Sequence, residues 1–84
     1  MALRQVVWTQ PAVEDLAKLD KSVARRISMS IERYATSGVG DVKKLQGIDP
    51  PALRLRVGDY RIRFRQDADT LYILNIRNRK EAYR

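Results

Sequence analysis

The 84-residue chain is long enough for one domain, residues 1–84, and leaves no room for a second hydrophobic core. Seventeen Lys and Arg residues against ten Asp and Glu residues give a net charge of +7, which predicts a polyanionic partner: nucleic acid, an acidic protein or an anionic membrane surface. Cysteine and histidine are absent, which excludes a disulfide scaffold, thiolate or imidazole zinc sites, and catalysis by a cysteine or histidine.

The N-terminal half is predicted to form a strand followed by two helices. Residues 3–8 are β-branched and aromatic, as is typical of a strand, and Pro11 then opens a first helix, where its missing N–H is tolerated. A second helix follows Asp20 and ends at Gly38. Its apolar residues recur at helical spacing: Val23, Ile27, Ile31 and Tyr34. The short link between the two helices predicts an antiparallel hairpin.

The C-terminal half is predicted to form a meander of three strands. Residues 38–52 are rich in glycine and proline and form a loop, in which residues 43–45 add either a turn or a short edge strand. Apolar and basic residues alternate over 53–57 and 60–65, and the nearly continuous apolar run over 71–77 predicts a central strand. Tight turns favour antiparallel pairing. The predicted fold class is therefore α+β, ordered β-α-α-β-β-β, with the helical hairpin packed on one face of a small antiparallel sheet. We expect Trp8, Tyr34 and Tyr60 to pack in the core.

The arginines of this meander alternate with its apolar residues. Residues 51–84 hold nine basic and four acidic residues, a balance of +5, whereas residues 1–50 hold eight and six, a balance of +2. Because the helices cover the apolar side, the opposite side should carry Arg54, Arg56, Arg61, Arg63 and Arg65. One interpretation is an ordinary solvated sheet face. The other is a polyanion-binding surface, which the nearly pure arginine composition favours because a guanidinium binds phosphate bidentately.

Four segments of the chain resemble the RelE/ParE superfamily of type II toxins. They are residues 53–64 (LRLRVGDYRIRF), 76–84 (IRNRKEAYR), 6–16 (VVWTQPAVEDL) and 44–47 (KLQG). The resemblance covers essentially the whole chain. It implies the RelE-like microbial RNase fold and the function of a toxin in a type II toxin–antitoxin system.

In RelE-type members, the resemblance further implies a ribosome-dependent mRNA endonuclease that inhibits translation and needs neither metal nor cofactor. The RNA 2′-hydroxyl attacks the adjacent phosphate and leaves a cyclic phosphate. The resemblance assigns catalytic positions to Arg54, Arg56, Arg61, Arg79 and Tyr83. RelE has lysines where this chain has Arg54 and Arg56. An arginine is a poor proton acceptor near neutral pH, so we interpret both as electrostatic clamps. Asn78 stands where many members carry a histidine.

Further basic residues around these positions are predicted to contact RNA: Arg63, Arg65, Arg77, Lys43 and Lys44. For Arg77, Lys43 and Lys44 the equal alternative is a solvated surface charge. The implied partners are a cognate antitoxin protein, the ribosome and mRNA. Two alternatives are a ParE-like inhibitor of DNA gyrase and an RNA-binding module without catalysis. No apolar run approaches the roughly 20 residues of a membrane span, and no export signal is recognisable. We therefore expect a cytoplasmic protein that binds neither membrane nor metal.

Overall fold

The computed structural model describes residues 4–45, 47 and 51–78 of the chain. These residues form one five-stranded sheet, in the order β1-β5-β4-β3-β2, and two helices. In chain order the elements are β1 (Gln5–Trp8), α1 (Gln10–Ala17), α2 (Lys21–Ser37), β2 (Asp41–Leu45), β3 (Ala52–Val57), β4 (Tyr60–Gln66) and β5 (Thr70–Asn78). The α+β class and the predicted elements are confirmed, and β2 is the short edge strand that was one interpretation of residues 43–45. Neither helix in the described part of the chain is long and apolar enough to span a bilayer.

The first strand pairs in parallel with the last strand, so the sheet is mixed. Gln5 lies opposite Thr70, and Trp8 lies opposite Ile73. The prediction of an antiparallel sheet is correct for β2 to β5 and wrong for β1. The physical reason is the path of the chain, because the helical hairpin carries it to the far edge and the meander then returns to β1. With its three reversals, the meander ends on a strand that runs in the direction of β1.

The hydrophobic core lies between the helices and one face of the sheet. Ile27 and Ile31 of α2 are buried against alternate residues of three strands: Leu55, Val57, Ile62, Phe64, Leu71, Ile73 and Ile76. Trp8, Tyr34 and Tyr60 pack against this core, as predicted. The rings of Tyr34 and Phe64 meet edge to face with their centroids 5.4 Å apart. The residues that alternate with the core residues therefore face the other side of the sheet.

Two local features set the register of the central strands. Gly58 has a φ of 59° and is the first residue of the two-residue turn that joins Val57 to Tyr60, the pattern of a type II′ turn. In β5, Asn75 pairs with Arg63 and Ile73 pairs with Phe64, which leaves Leu74 as an extra residue in a β-bulge. On both sides of the bulge, core-facing residues of β5 therefore pair with core-facing residues of β4, Ile73 with Phe64 and Ile76 with Ile62.

Beyond the end of β1, Thr9 and α1 form hydrogen bonds with the backbone of β5. The Thr9 N–H and hydroxyl donate to the Ile73 carbonyl oxygen at 3.1 and 2.6 Å. Further along, the Ile76 N–H donates to Oδ2 of Asp15 at 3.0 Å. A buried N–H without an acceptor would cost about 1–3 kcal/mol, so Asp15 satisfies a donor that lies beyond the end of β1.

Candidate nucleic-acid interface

The sheet face opposite the helices is lined by basic side chains. On β3 and β4 these are the residues that alternate with the core residues, and β2 and β5 each add one more. We call this surface the arginine face, and it consists of Lys43, Arg54, Arg56, Arg61, Arg63, Arg65 and Arg77. The predicted clustering of the strand arginines on one side of the sheet agrees with this arrangement.

Strand pairing arranges these side chains in two rows across the sheet. The first row is Asp41, Arg56, Arg61 and Arg77, and the second row is Lys43, Arg54, Arg63 and Asn75. Directly opposite residues in a sheet have Cβ atoms about 4.5–5.5 Å apart, and same-face neighbours along a strand are separated by about 6.6 Å. The cations therefore form a two-dimensional array, in which arginine opposes arginine and Asp41 contributes a carboxylate at the edge.

Part of this array is packed into the sheet surface. Arg54 and Arg65 are half-buried, whereas Arg56 and Arg63 are exposed. Among the described residues, Nε of Arg54, Nε of Arg65 and Oδ1 of Asn75 are buried atoms without a hydrogen-bond partner. The aliphatic stems thus cover apolar surface while the charged ends remain at the face.

The structure brings most of the predicted site residues together and separates one from them. Lys43, Arg54, Arg56, Arg61, Arg63, Arg65 and Arg77 share the arginine face. Lys44 pairs with Leu53, which packs against the core, so Lys44 projects toward the helix side of the sheet. Arg79 and Tyr83 lie outside the described residues.

An exposed apolar patch on the same face was not predicted from the sequence. Tyr72 of β5 lies opposite Arg65, and Val7 of β1 lies opposite Tyr72 on its other side. These side chains are 39% and 42% exposed. The nearly continuous apolar run of β5 gave no sign that Tyr72 faces outward. The signal becomes readable only once the bulge at Leu74 and the pairing with β4 are known.

An ordered carboxylate lies next to Tyr72 in the turn between β4 and β5. Oδ1 of Asp67 accepts hydrogen bonds from the N–H groups of Asp69 and Thr70 at 2.9 and 2.8 Å. The Tyr72 hydroxyl lies 3.4 Å from the other oxygen, Oδ2. The hydrogen bond from Asp69, together with those from Thr70 and Tyr72, holds the pKa of the Asp67 carboxyl below its ordinary value. Asp67 therefore remains an anionic acceptor for the tyrosine hydroxyl.

The chemistry that the arginine face offers is the neutralisation of negative charge. A guanidinium stays protonated at neutral pH and presents several N–H donors that match the oxygens of a phosphate. The described residues contain no group of three or more Asp, Glu, His or Cys side chains that could hold a metal ion. The geometry thus fits a bound polyanion whose charge is balanced by arginine.

Comparisons with known proteins place the chain in a family. The family model for the ParE toxin of type II toxin–antitoxin systems, parDE, matches residues 6–83. Toxin RelE3 of Methanocaldococcus jannaschii is 30% identical to this chain over 84 residues, and the match covers 94% of either protein. The sequence similarity therefore extends over both the helical hairpin and the arginine face.

Solved structures of similar proteins show the same fold. A chain of the RelB–RelE antitoxin–toxin complex from Methanococcus jannaschii is 28% identical, with a TM-score of 0.74 over 92% of this chain and 94% of that chain. A chain of the archaeal RelE–RelB complex from Pyrococcus horikoshii OT3 is 26% identical, with a TM-score of 0.76 over 92% of this chain and 96% of that chain. The chain therefore belongs to the family of ParE toxins of type II toxin–antitoxin systems, within the RelE/ParE superfamily.

Proposed function

We propose that this toxin cleaves mRNA on the ribosome without a metal ion and that the arginine face binds the RNA backbone. The observation that carries the proposal is the pair of cross-strand rows, the second of which places Lys43, Arg54 and Arg63 side by side. Like charges directly opposite each other destabilise a sheet. A bound phosphate chain would convert this repulsion into attraction, which gives the array a purpose that an ordinary solvated face lacks.

In the proposed reaction, the 2′-oxygen of one nucleotide attacks the adjacent phosphorus atom. The bond from phosphorus to the 5′-oxygen breaks, which leaves a 2′,3′-cyclic phosphate and a free 5′-hydroxyl. Arg61 lies in the middle of the first row, between Arg56 and Arg77. From there its guanidinium would stabilise the negative charge that grows on the phosphoryl oxygens in the transition state.

Proton transfer in this scheme does not use the arginines. Because a guanidinium stays protonated, Arg54 and Arg56 act as clamps on the phosphate, as the sequence suggested, and a base from solvent accepts the 2′-hydroxyl proton. Solvent also protonates the departing 5′-oxygen. The catalytic roles of Arg79 and Tyr83 stay predictions.

A cell-free translation reaction tests this proposal. We expect purified toxin to produce cuts at ribosome-bound codons of the mRNA, mapped by primer extension, and to do so in the presence of EDTA as well. The matched controls are Arg61→Ala, which should abolish the cuts, and Arg25→Ala on the outer side of α2, which should retain them. Intact mRNA with the unaltered toxin would contradict the proposal.

A second candidate function is inhibition of DNA gyrase, which the ParE name of the matching family favours. A gyrase supercoiling assay separates the two functions, because an mRNA endonuclease leaves supercoiling unchanged. RNA binding that is steeply salt-dependent, with no cleavage product on the ribosome, would instead indicate a binding module.

We also infer that an antitoxin neutralises the toxin by covering the arginine face. The solved structures of RelE with RelB support an antitoxin partner. An acidic segment that folds on binding would match the charge of this face. Hydrogen exchange of the complex with the antitoxin tests this inference, because amides of β3, β4 and β5 should gain protection. Protection confined to α2 would contradict it.

A further inference from the structure

One end of the arginine face presents an aromatic ring instead of a cation. Tyr72 lies beside Arg65 on β4 and beside Val7 on β1, and both Tyr72 and Val7 are well exposed. Phosphate binding uses cations and hydrogen-bond donors and has no use for an exposed apolar pair. The patch is suited to a different part of a ligand than the backbone that the arginines would bind.

The orientation of this ring is restrained by its hydroxyl group. Tyr72 approaches Oδ2 of Asp67 through its hydroxyl at 3.4 Å, and the Asp67 carboxylate is itself held by two backbone N–H groups. A side chain that is already restrained loses less conformational entropy when a ligand packs against it. Tyr72 is thus a partly preorganised aromatic surface next to a basic one.

We propose that Tyr72, flanked by Val7, stacks on an unpaired base of single-stranded RNA whose phosphates are bound by Arg63 and Arg65. This inference rests on the proposed function and adds a base-binding position to it. Stacking on an aromatic side chain accepts any base, because every base has a π-face. In an RNA duplex the bases are stacked on each other and paired, so the site selects single strands and unpaired nucleotides.

Binding of two labelled oligomers, measured by fluorescence anisotropy, tests the stacking. One is a short single-stranded RNA, and the other has the same ribose–phosphate backbone without bases. Tyr72→Ala should weaken RNA binding by about 5- to 150-fold and leave binding of the abasic oligomer unchanged. Tyr72→Phe should retain most of the RNA affinity, because it keeps the ring and loses only the restraint that the hydroxyl provides. The salt dependence of RNA binding should be the same in all Tyr72 variants, since no cation is removed.

Two controls separate stacking from a loss of structure. Met29→Ala truncates a more exposed apolar side chain on α2 and should leave RNA binding unchanged. Tyr72→Leu retains apolar bulk without a π-face and should bind RNA as weakly as Tyr72→Ala, while its thermal unfolding stays close to that of the unaltered toxin. Equal losses for both oligomers, or full affinity in Tyr72→Leu, would overturn the stacking.

The arginine face provides the comparison that distinguishes this inference from the proposed function. If Arg63→Ala and Arg61→Ala weaken binding of both oligomers and Tyr72→Ala does not affect RNA binding, the stacking is wrong and the arginine face still binds RNA. If neither arginine variant changes binding, or if the unaltered toxin does not bind RNA at low salt, the arginine face does not bind the RNA backbone and the stacking is wrong with it, whereas cleavage on the ribosome is decided separately by the translation assay.

Discussion

Two surfaces of this toxin are rich in arginine, and they differ in how the arginines are spaced. On the arginine face, strand pairing brings cations of neighbouring strands directly opposite each other. On α2, Arg25, Arg26 and Arg33 surround Met29, which is 60% exposed, and line a shallow groove of about 450 Å³. Arg25 and Arg26 diverge by about 100° around the helix, and Arg26 and Arg33 are about 10 Å apart along it. The helix therefore spreads its charges, and the sheet concentrates them.

This difference indicates that strand register, and not arginine content, creates a polyanion-binding surface. Each directly opposed pair of like charges destabilises the sheet by roughly 0.2–1 kcal/mol, whereas the α2 arginines are too far apart for a comparable penalty. A surface that retains such pairs despite this cost is a stronger candidate for function. We therefore expect arginine substitutions on the arginine face to change both activity and stability, and arginine substitutions on α2 to change neither appreciably.

The largest expected difference is in catalysis. Arg61→Ala should reduce the rate of mRNA cleavage in the translation assay by about 10²–10³-fold, because it removes a cation aimed at the charge of the transition state. Arg33→Ala removes the same side chain from the outer side of α2 and should leave the rate within a few-fold of that of the unaltered toxin. Arg33→Ala should leave the unfolding temperature unchanged, and Arg61→Ala should not lower it, because it removes a like charge opposite Arg56 and Arg77. Equal losses of activity would remove the distinction between the two surfaces.

The next largest effect is a loss of stability on substitution of Asp15, whose carboxylate accepts a hydrogen bond from the Ile76 N–H of β5. Asp15→Ala leaves the partly buried Ile76 N–H without its acceptor and should lower the free energy of unfolding by about 1–3 kcal/mol. The matched control is Glu14→Ala, one residue earlier and exposed, which should change stability by less than about 0.5 kcal/mol. Urea unfolding of the two variants measures both effects. A similar loss in both would assign the effect to charge on α1 instead of to the hydrogen bond.

The arginine face could be predicted from the sequence because its signal is local. The alternation of apolar residues with arginine over 53–65 requires only a strand with a period of two, and the Gly58 turn joins the two halves. The composition of these strands was enough to distinguish an arginine-lined face from a mixed polar one.

The rows across the sheet could not be predicted, because they depend on contacts between distant residues. The parallel pairing of β1 with β5 joins Gln5 to Thr70, and no local pattern encodes it. The bulge at Leu74 changes which residues of β5 face outward, so the outward position of Tyr72 was missed. Lys44 was assigned to RNA binding from its charge alone, whereas the register of β2 turns it away from the arginine face.

Substitution of Arg63 should have a smaller effect, which raises the stability of the protein but weakens RNA binding. Arg63 lies directly opposite Arg54, so Arg63→Gln should raise the free energy of unfolding by roughly 0.2–1 kcal/mol. The same variant should weaken RNA binding and reduce its logarithmic salt dependence by about 0.7 for the lost phosphate contact. Arg33→Gln on α2 should change neither the stability nor the salt dependence appreciably. Loss of stability in Arg63→Gln would show that the array is held by favourable contacts.

The smallest expected effect is a pH dependence at the Tyr72 end of the arginine face. The pKa of Asp67 is lower in the folded protein than its ordinary value of 3.8. The carboxylate therefore contributes stability at pH values above the unfolded pKa, and this contribution is lost as the pH falls through the folded pKa. The contribution is small because the group is exposed.

Replacement of the Asp67 carboxylate by an amide shows how much the charge of this group contributes to stability at each pH. The difference in unfolding free energy between the unaltered toxin and Asp67→Asn should be largest near neutral pH and should shrink as the pH is lowered from about 5 to about 3. Asp59→Asn, in the turn at the opposite end of β4, is the matched control, measured by urea unfolding over the same pH range. If the difference in unfolding free energy between the unaltered toxin and Asp67→Asn does not change with pH, the amide disturbs the hydrogen-bond geometry of the turn. In that case the charge of Asp67 does not stabilise the turn that orients Tyr72.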